Sequence, residues 1–182
     1  MTHMDLLKTR NRAFADRFDH ADISPLPKLG TLILTCVDAR VDPAHVLGLE
    51  LGDAVVFRNN GGRVTPAFID EVSALAVLVQ RLTGAPEAQF NIVVMQHSQC
   101  GARAFADPAF RDALKDRIGV DVSANAITEP EADLAVDVQR LIEARHLPGQ
   151  ITVAAVHYAV ETGAIREIAP ARRLQALRDA ST

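Results

Sequence analysis

The sequence contains no tryptophan, a single tyrosine and only two cysteines in 182 residues. With so few flat aromatic rings there is no stacking platform for nucleobases. The 19 Lys and Arg are outnumbered by 23 Asp and Glu, for a net charge of -4, so a phosphate backbone is a poor partner. Two cysteines do not make the disulfide framework of a small secreted domain, and in a reducing compartment such a pair points to metal binding or catalysis. No apolar run approaches the roughly 20 residues a membrane span requires. Residues 1–20 alternate charged and apolar side chains where a signal peptide would have an apolar core. These absences lead us to expect a cytoplasmic protein with no nucleic acid and no membrane partner. At 48% hydrophobic residues, the chain is long enough to bury a sizeable core as one domain over 1–182, with 1–28 forming a helical arm and linker.

What the sequence does contain is a series of short apolar runs separated by helical patterns. Leu6, Leu7, Phe14 and Phe18 form an apolar stripe near the N-terminus. It packs either on its own domain or on a second subunit. Pro25 and Pro27 prevent that helix from continuing. Thr31 to Thr35 is bounded by Gly30 and reads as a strand buried on both faces. Ala54 to Phe57, Phe90 to Gln96, Ile151 to Val156 and Ala164 to Ile168 give four further strand candidates. Asp42-Pro43 and Thr65-Pro66 are helix starts. The helix after Thr65 is apolar around much of its girth as far as Leu82, so burial is expected. Asp107-Pro108 opens a short helical excursion, Glu131 to His146 is an amphipathic helix stopped by Pro148-Gly149, and Pro170 to Asp179 is a terminal helix. The alternation implies an α/β fold with a mostly parallel four- to five-stranded sheet flanked by helices. In such sheets functional groups gather beyond the carboxyl ends of the strands.

Two polar clusters fall there. Cys36-Val37-Asp38-Ala39-Arg40 follows the first run, and alternate side chains of an extended segment share a face. His97-Ser98-Gln99-Cys100-Gly101 follows the third. If those strands are neighbours, Cys36, His97 and Cys100 meet as a Cys2His set, which in zinc enzymes leaves a fourth position open for water. Asp38 could also close such a site as the fourth ligand. Taken singly, each Cys is a small buried hydrophobe and the His a hydrogen-bonded core residue. Asp38 and Arg40 read alone as a surface ion pair worth about 0 to 1 kcal/mol. Beside a metal, the arginine keeps the carboxylate ionised. His45, His146 and His157 are conceivable proton shuttles, and Arg58, Asn59 and Gly61 either shape a pocket or form a turn.

The run from Cys36 to Pro43, with Leu47-Gly48-Leu49, Gly52-Asp53, Arg58-Asn59-Asn60-Gly61-Gly62 and His97 to Gly101, resembles the β-class carbonic anhydrases from about Thr31 to Ile168. The resemblance implies one Zn2+ per chain held by Cys36, His97 and Cys100. It implies Asp38 and Arg40 as a catalytic dyad that orients the nucleophile or, in a closed state, lets Asp38 occupy the metal. The implied reaction is reversible hydration of CO2 to bicarbonate, and the implied assembly is a homodimer or dimer of dimers with the N-terminal helix laid over the neighbour. Asn60 and Gln99 depart from the residues many members carry there. An inhibitory bicarbonate site built around Trp is not carried over. Hydrolysis of CS2 or COS by the same zinc site is the alternative reaction. A non-enzymatic thiol sensor, with Cys36 and Cys100 closing a disulfide, is the third reading.

Overall fold

Four of the apolar runs are too short and too β-branched for helices, and in the computed structural model, which describes residues 2–181, they are parallel strands. These are β1 (Thr31–Cys36), β2 (Ala54–Asn59), β3 (Asn91–His97) and β4 (Thr152–Ala159). The edge strand β5 (Ala164–Arg173) runs antiparallel to β4, giving the order β2-β1-β3-β4-β5. Six α-helices complete the fold: α1 (His3–Ala15), α2 (Pro43–Val46), α3 (Pro66–Thr83), α4 (Pro108–Ile118), α5 (Pro130–Glu143) and α6 (Leu174–Ala180). The expected mostly parallel sheet with flanking helices is therefore the observed architecture. Among the described residues no helix is long and apolar enough to cross a membrane.

The helix boundaries follow their capping residues. Thr65 accepts from the Phe68 backbone N–H at the start of α3, Asp107 from Ala109 at the start of α4, and Asp42 from Ala44 at the start of α2. Each is followed by proline at the first helical position, where a missing N–H costs nothing. The main core joins Leu32 and Leu34 of β1, Ile92 and Val94 of β3, and Val153 and Ala155 of β4 to Phe68 and Val72 of α3, Leu134 and Leu141 of α5, and Leu174 of α6. A second, smaller cluster at the carboxyl end of the sheet contains Cys36, Val41, Met95, Cys100, Ala102, Ile127 and Tyr158.

Two elements differ from the sequence reading, and a third, which that reading left open, is decided on one side. Helix α3 buries only the face of Phe68, Val72 and Ala76, while Val77, Leu78 and Leu82 are exposed. One sheet covers one side of a helix, so apolar girth alone does not place the other side. Pro170 belongs to β5 rather than to a terminal helix, which begins at Leu174. Proline is tolerated there because β5 is an edge strand. Helix α1 has a capping box at Thr2 and Asp5, yet none of its residues is buried. Met4, Leu6, Leu7 and Phe14 are exposed, as is Phe18 beyond the helix end. The apolar stripe thus does not seat on its own domain.

A buried ion pair ties the sheet to α5. Arg63 is 4% exposed, and its Nε donates to Asp137 Oδ2 at 2.7 Å, with Asp133 Oδ1 3.1 Å from Nη1. Asp137 also accepts from Val64 N at 3.1 Å, Gln96 Nε2 at 3.0 Å and Arg140 Nη1 at 3.2 Å. Burial pushes the Asp137 carboxyl up to about 6, against the pull of Arg63 and Arg140. It is therefore ionised at neutral pH, the form that four donors require. Asp137→Asn leaves Arg63 buried with reduced compensation and is expected to lower stability by about 3 kcal/mol. Urea unfolding of the variant beside the parent checks this, and an unchanged midpoint would show that Asp133 alone suffices.

Candidate metal centre

Parallel strands end on the same side of a sheet, and β1 and β3 are direct neighbours. Their register pairs Thr35 with Met95, and the Thr35 hydroxyl donates to the Met95 carbonyl at 2.9 Å. Cys36 closes β1 and His97 closes β3. Cys100 follows as the residue before a tight 3-10 turn, Gly101–Ala106. The ligand atoms of Cys36, His97 and Cys100 all lie within 4.8 Å of one another, and all three side chains are buried.

The donor set fits a divalent ion. The two Sγ atoms are 3.8 Å apart and both thiols are free. A tetrahedral site with metal–sulfur bonds of about 2.3 Å separates its sulfurs by about 3.8 Å. His97 donates its Nδ1 proton to the Ser98 carbonyl at 2.8 Å, because a carbonyl can only accept. Its Nε2 therefore carries a lone pair, and this buried atom has no hydrogen-bond partner. An orphaned imidazole nitrogen beside two thiols is the arrangement a metal completes. The two thiols share one proton across their 3.8 Å contact, which pulls the Cys36 thiol down and pushes the Cys100 thiol up.

Asp38 and Arg40 do form a fork, but not on the extended segment that the sequence reading assumed: β1 ends at Cys36, and Asp38 caps a 3-10 turn, Ala39–Val41, its Oδ1 accepting from Arg40 N at 2.9 Å. Arg40 Nε donates to Asp38 Oδ1 at 3.0 Å and Nη2 to Oδ2 at 2.7 Å. The Arg40 guanidinium holds the Asp38 carboxyl well below the usual carboxylate range. The backbone between them is fixed from β2. Arg58 Nε donates to the Cys36 carbonyl at 3.0 Å, Nη2 to the Asp38 carbonyl at 2.7 Å, and Nη1 to Asp42 Oδ2 at 3.2 Å. Arg58, read from sequence only as a turn or pocket residue, is a clamp on the whole loop from 36 to 42. Gly62 explains the paired glycines. A Cβ there would lie 2.7 Å from Cys36 N and 2.8 Å from the Thr35 carbonyl carbon, at a φ of +61°.

Residues that sequence reasoning missed lie on the β4–β5 turn. Glu161 Oε2 accepts from Ser98 Oγ at 2.6 Å and Oε1 from Gln99 Nε2 at 2.8 Å. Gln99 in turn accepts from Arg40 Nη1 at 3.3 Å through its side chain and from Nη2 at 3.2 Å through its backbone. Gln99 has a φ of +54°, a left-handed conformation that costs a non-glycine residue roughly 1 kcal/mol or more. Nothing near Glu161 in the sequence signals its position; only the antiparallel return of β5 turns it toward the ligand loop.

The comparisons bear directly on this geometry. A family model described as carbonic anhydrase matches residues 31–121. The β-carbonic anhydrase 1 of Mycobacterium tuberculosis is 30% identical over 146 residues, 79% of this chain and 85% of the relative. The chain belongs to the β-carbonic anhydrase family. The crystal structure of a carbonic anhydrase from Streptococcus mutans superposes with a TM-score of 0.75 at 32% identity, covering 92% of this chain and 98% of that one. A carbon disulfide hydrolase of Acidithiobacillus thiooxidans is 34% identical over 92 residues, 50% of this chain and 42% of the relative.

In this carbonic anhydrase chain the site opens into a cavity of about 200 Å³ lined by Cys36, Val37, Asp38, Asn60, Gly61, Gly101, Ala102 and Phe105. His45, His146 and His157 are not among its lining residues. A larger apolar groove of about 250 Å³, between Pro25, Leu26, β1 and α3, lies at the opposite end of β1. It carries no ligating side chain, whereas the smaller cavity has Cys36 and Asp38 on its wall. Gly62→Ala forces the Cys36 backbone to move, and backbone cannot give way as a flexible side chain can. We expect that variant to fold less stably by about 2 kcal/mol or more and to bind metal substoichiometrically. Elemental analysis with thermal unfolding checks this; full metal content at parental stability would contradict it.

Proposed function

We propose that the chain catalyses the reversible hydration of carbon dioxide to bicarbonate and a proton, with one zinc ion per chain held by Cys36, His97 and Cys100. The observation that supports this most is the buried, partnerless His97 Nε2 within 4.8 Å of two free thiols, beside a carboxylate locked by arginine. Zinc bound there supplies a Lewis acid that brings the pKa of a water molecule to about 7. The residues do the rest. Cys36 and Cys100 provide soft anionic donors, and the Nδ1–H bond to the Ser98 carbonyl fixes the tautomer in which His97 Nε2 is a donor to metal. Asp38, ionised because of Arg40, accepts a hydrogen bond from the attacking water and aims its lone pair into the cavity. Val37, Ala102 and Phe105 give that cavity an apolar wall suited to a small linear substrate without charge. Arg40 keeps Asp38 engaged, so that the carboxylate would not itself become a ligand of the ion.

Carbon disulfide hydrolysis is the second reading, because relatives named for that activity match half of the chain. We favour carbon dioxide because the carbonic anhydrase similarity runs along 79% of this chain and 85% of the relative. A thiol-sensor role for Cys36 and Cys100 would leave the His97 nitrogen without a purpose. We expect about one zinc per chain by elemental analysis, lost in Cys36→Ser. Asp38→Asn should retain the zinc yet hydrate carbon dioxide about a hundredfold more slowly. Faster turnover of COS or CS2 than of carbon dioxide by the purified protein would overturn the substrate assignment.

We further propose that α1 covers a second copy of the chain. Its apolar stripe is exposed here, and the Phe14 and Phe18 rings lie 5.5 Å apart, tilted by 52°, with no core beneath them. Deleting residues 2–20 is expected to convert a dimer, or dimer of dimers, into smaller species in sedimentation velocity. An unchanged mass distribution would rule the arm out as the contact.

A further inference from the structure

The chain from Glu161 through Gln99 to Arg40 has a polarity that geometry alone would not impose. We propose that Glu161 is a positioning residue that sets the orientation of the Gln99 amide and thereby holds Arg40 on Asp38, keeping the carboxylate off the metal position. The inference rests on the reading of Asp38 and Arg40 given above. An ionised carboxylate accepts and never donates. Ser98 Oγ accepts from Val160 N at 2.9 Å and donates its proton to Glu161 Oε2 at 2.6 Å. The other carboxylate oxygen, Oε1, takes Gln99 Nε2 at 2.8 Å. With its NH2 group committed there, Gln99 turns its carbonyl oxygen to Arg40 Nη1 at 3.3 Å. The reversed amide would set oxygen against carboxylate and NH2 against guanidinium, two repulsive contacts in place of two attractive ones.

The left-handed backbone at Gln99 completes the device. At a φ of +54° this residue offers Arg40 two acceptors, the side-chain oxygen and the backbone carbonyl at 3.2 Å. Arg40 is nearly half exposed, at 46% of its side chain, whereas Asp38 is 18% exposed. Without Gln99 the guanidinium has water as its competing partner, and Asp38 is the member of the pair that lies nearer the ligands, on the wall of the cavity. Glu161 touches neither the ligands nor the cavity. It acts through two intervening side chains.

The test replaces zinc with cobalt(II) and titrates azide, reading the visible d–d spectrum. Azide needs the metal position that Asp38 would otherwise take. Glu161→Ala is expected to keep one metal per chain and to bind azide about fivefold more weakly, the factor one hydrogen bond of ordinary net strength supplies. In an Asp38→Asn background the same substitution should leave azide affinity unchanged, because no carboxylate remains to compete. Arg40→Ala serves as the control for the underlying reading and should weaken azide binding only when Asp38 is present. If Arg40→Ala behaves so but Glu161→Ala binds azide like the parent, the brace is refuted and the Asp38–Arg40 reading stands. A loss in Glu161→Ala that persists with Asn at 38 would mark general disturbance of the ligand loop and also refute it. A loss in Arg40→Ala that persists with Asn at 38 would remove the reading beneath both.

Discussion

The parallel pairing of β1 with β3 is the constraint from which the site follows. Side-chain direction alternates along a strand, so a slip of one residue would turn Cys36 or His97 to the other face. Thr35 helps fix the register, its buried hydroxyl bonding the Met95 carbonyl across 60 residues of sequence. With register fixed, the ends of β1 and β3 lie side by side, and three candidate ligands from two distant segments need only the first turn of the loop to converge. Helix α3 and helix α5, packed over these strands with Phe68, Val72, Leu134 and Leu141, supply the apolar burial that holds the pairing.

The buried charges reinforce the same strands from beneath. Arg63 follows Gly62 directly, and its bond to Asp137 draws the glycine loop against α5. Gln96, the residue before His97, bonds the same carboxylate. One acidic side chain on a helix thus anchors both the loop that presses on Cys36 and the strand that delivers His97. Arg58 performs the equivalent task on the open side, holding the carbonyls of Cys36 and Asp38 from β2. Arginine suits both places because its planar fork reaches several acceptors from one rigid group.

Much of this could be read from the sequence, and the part that could not has a common cause. The apolar runs gave the strands, proline after Asp or Thr gave the helix starts, and Cys36 with His97 and Cys100 gave the cluster. The first two are local patterns; the third joins two local motifs 64 residues apart, brought together by their places at strand ends and by the family resemblance they carry. Gly62 was visible as a glycine, but that it abuts Cys36 depends on the path of β2 beside β1. Glu161 and Asp137 sit in no local motif; Glu161 bonds Gln99 at a separation of 62 residues, and Asp137 bonds Arg63 and Gln96 at separations of 74 and 41. The exposed face of α3 and the strand character of Pro170 depended on which surfaces lack a covering layer, a property of the assembled sheet. Local chemistry was legible, while contacts closed by topology between residues outside any motif were not.

The separation of the two buried clusters has a consequence for how the protein matures. None of the three ligands belongs to the main core, which is assembled from aliphatic and aromatic side chains alone. In small metal-dependent domains the ion furnishes the folding energy, so chelation unravels the chain. Here the scaffold stands on its own hydrophobic interior, to which Cys36, His97 and Cys100 contribute nothing. An ion held by those three side chains would then be separable from the fold, and chelation would leave the polypeptide folded and open to reloading.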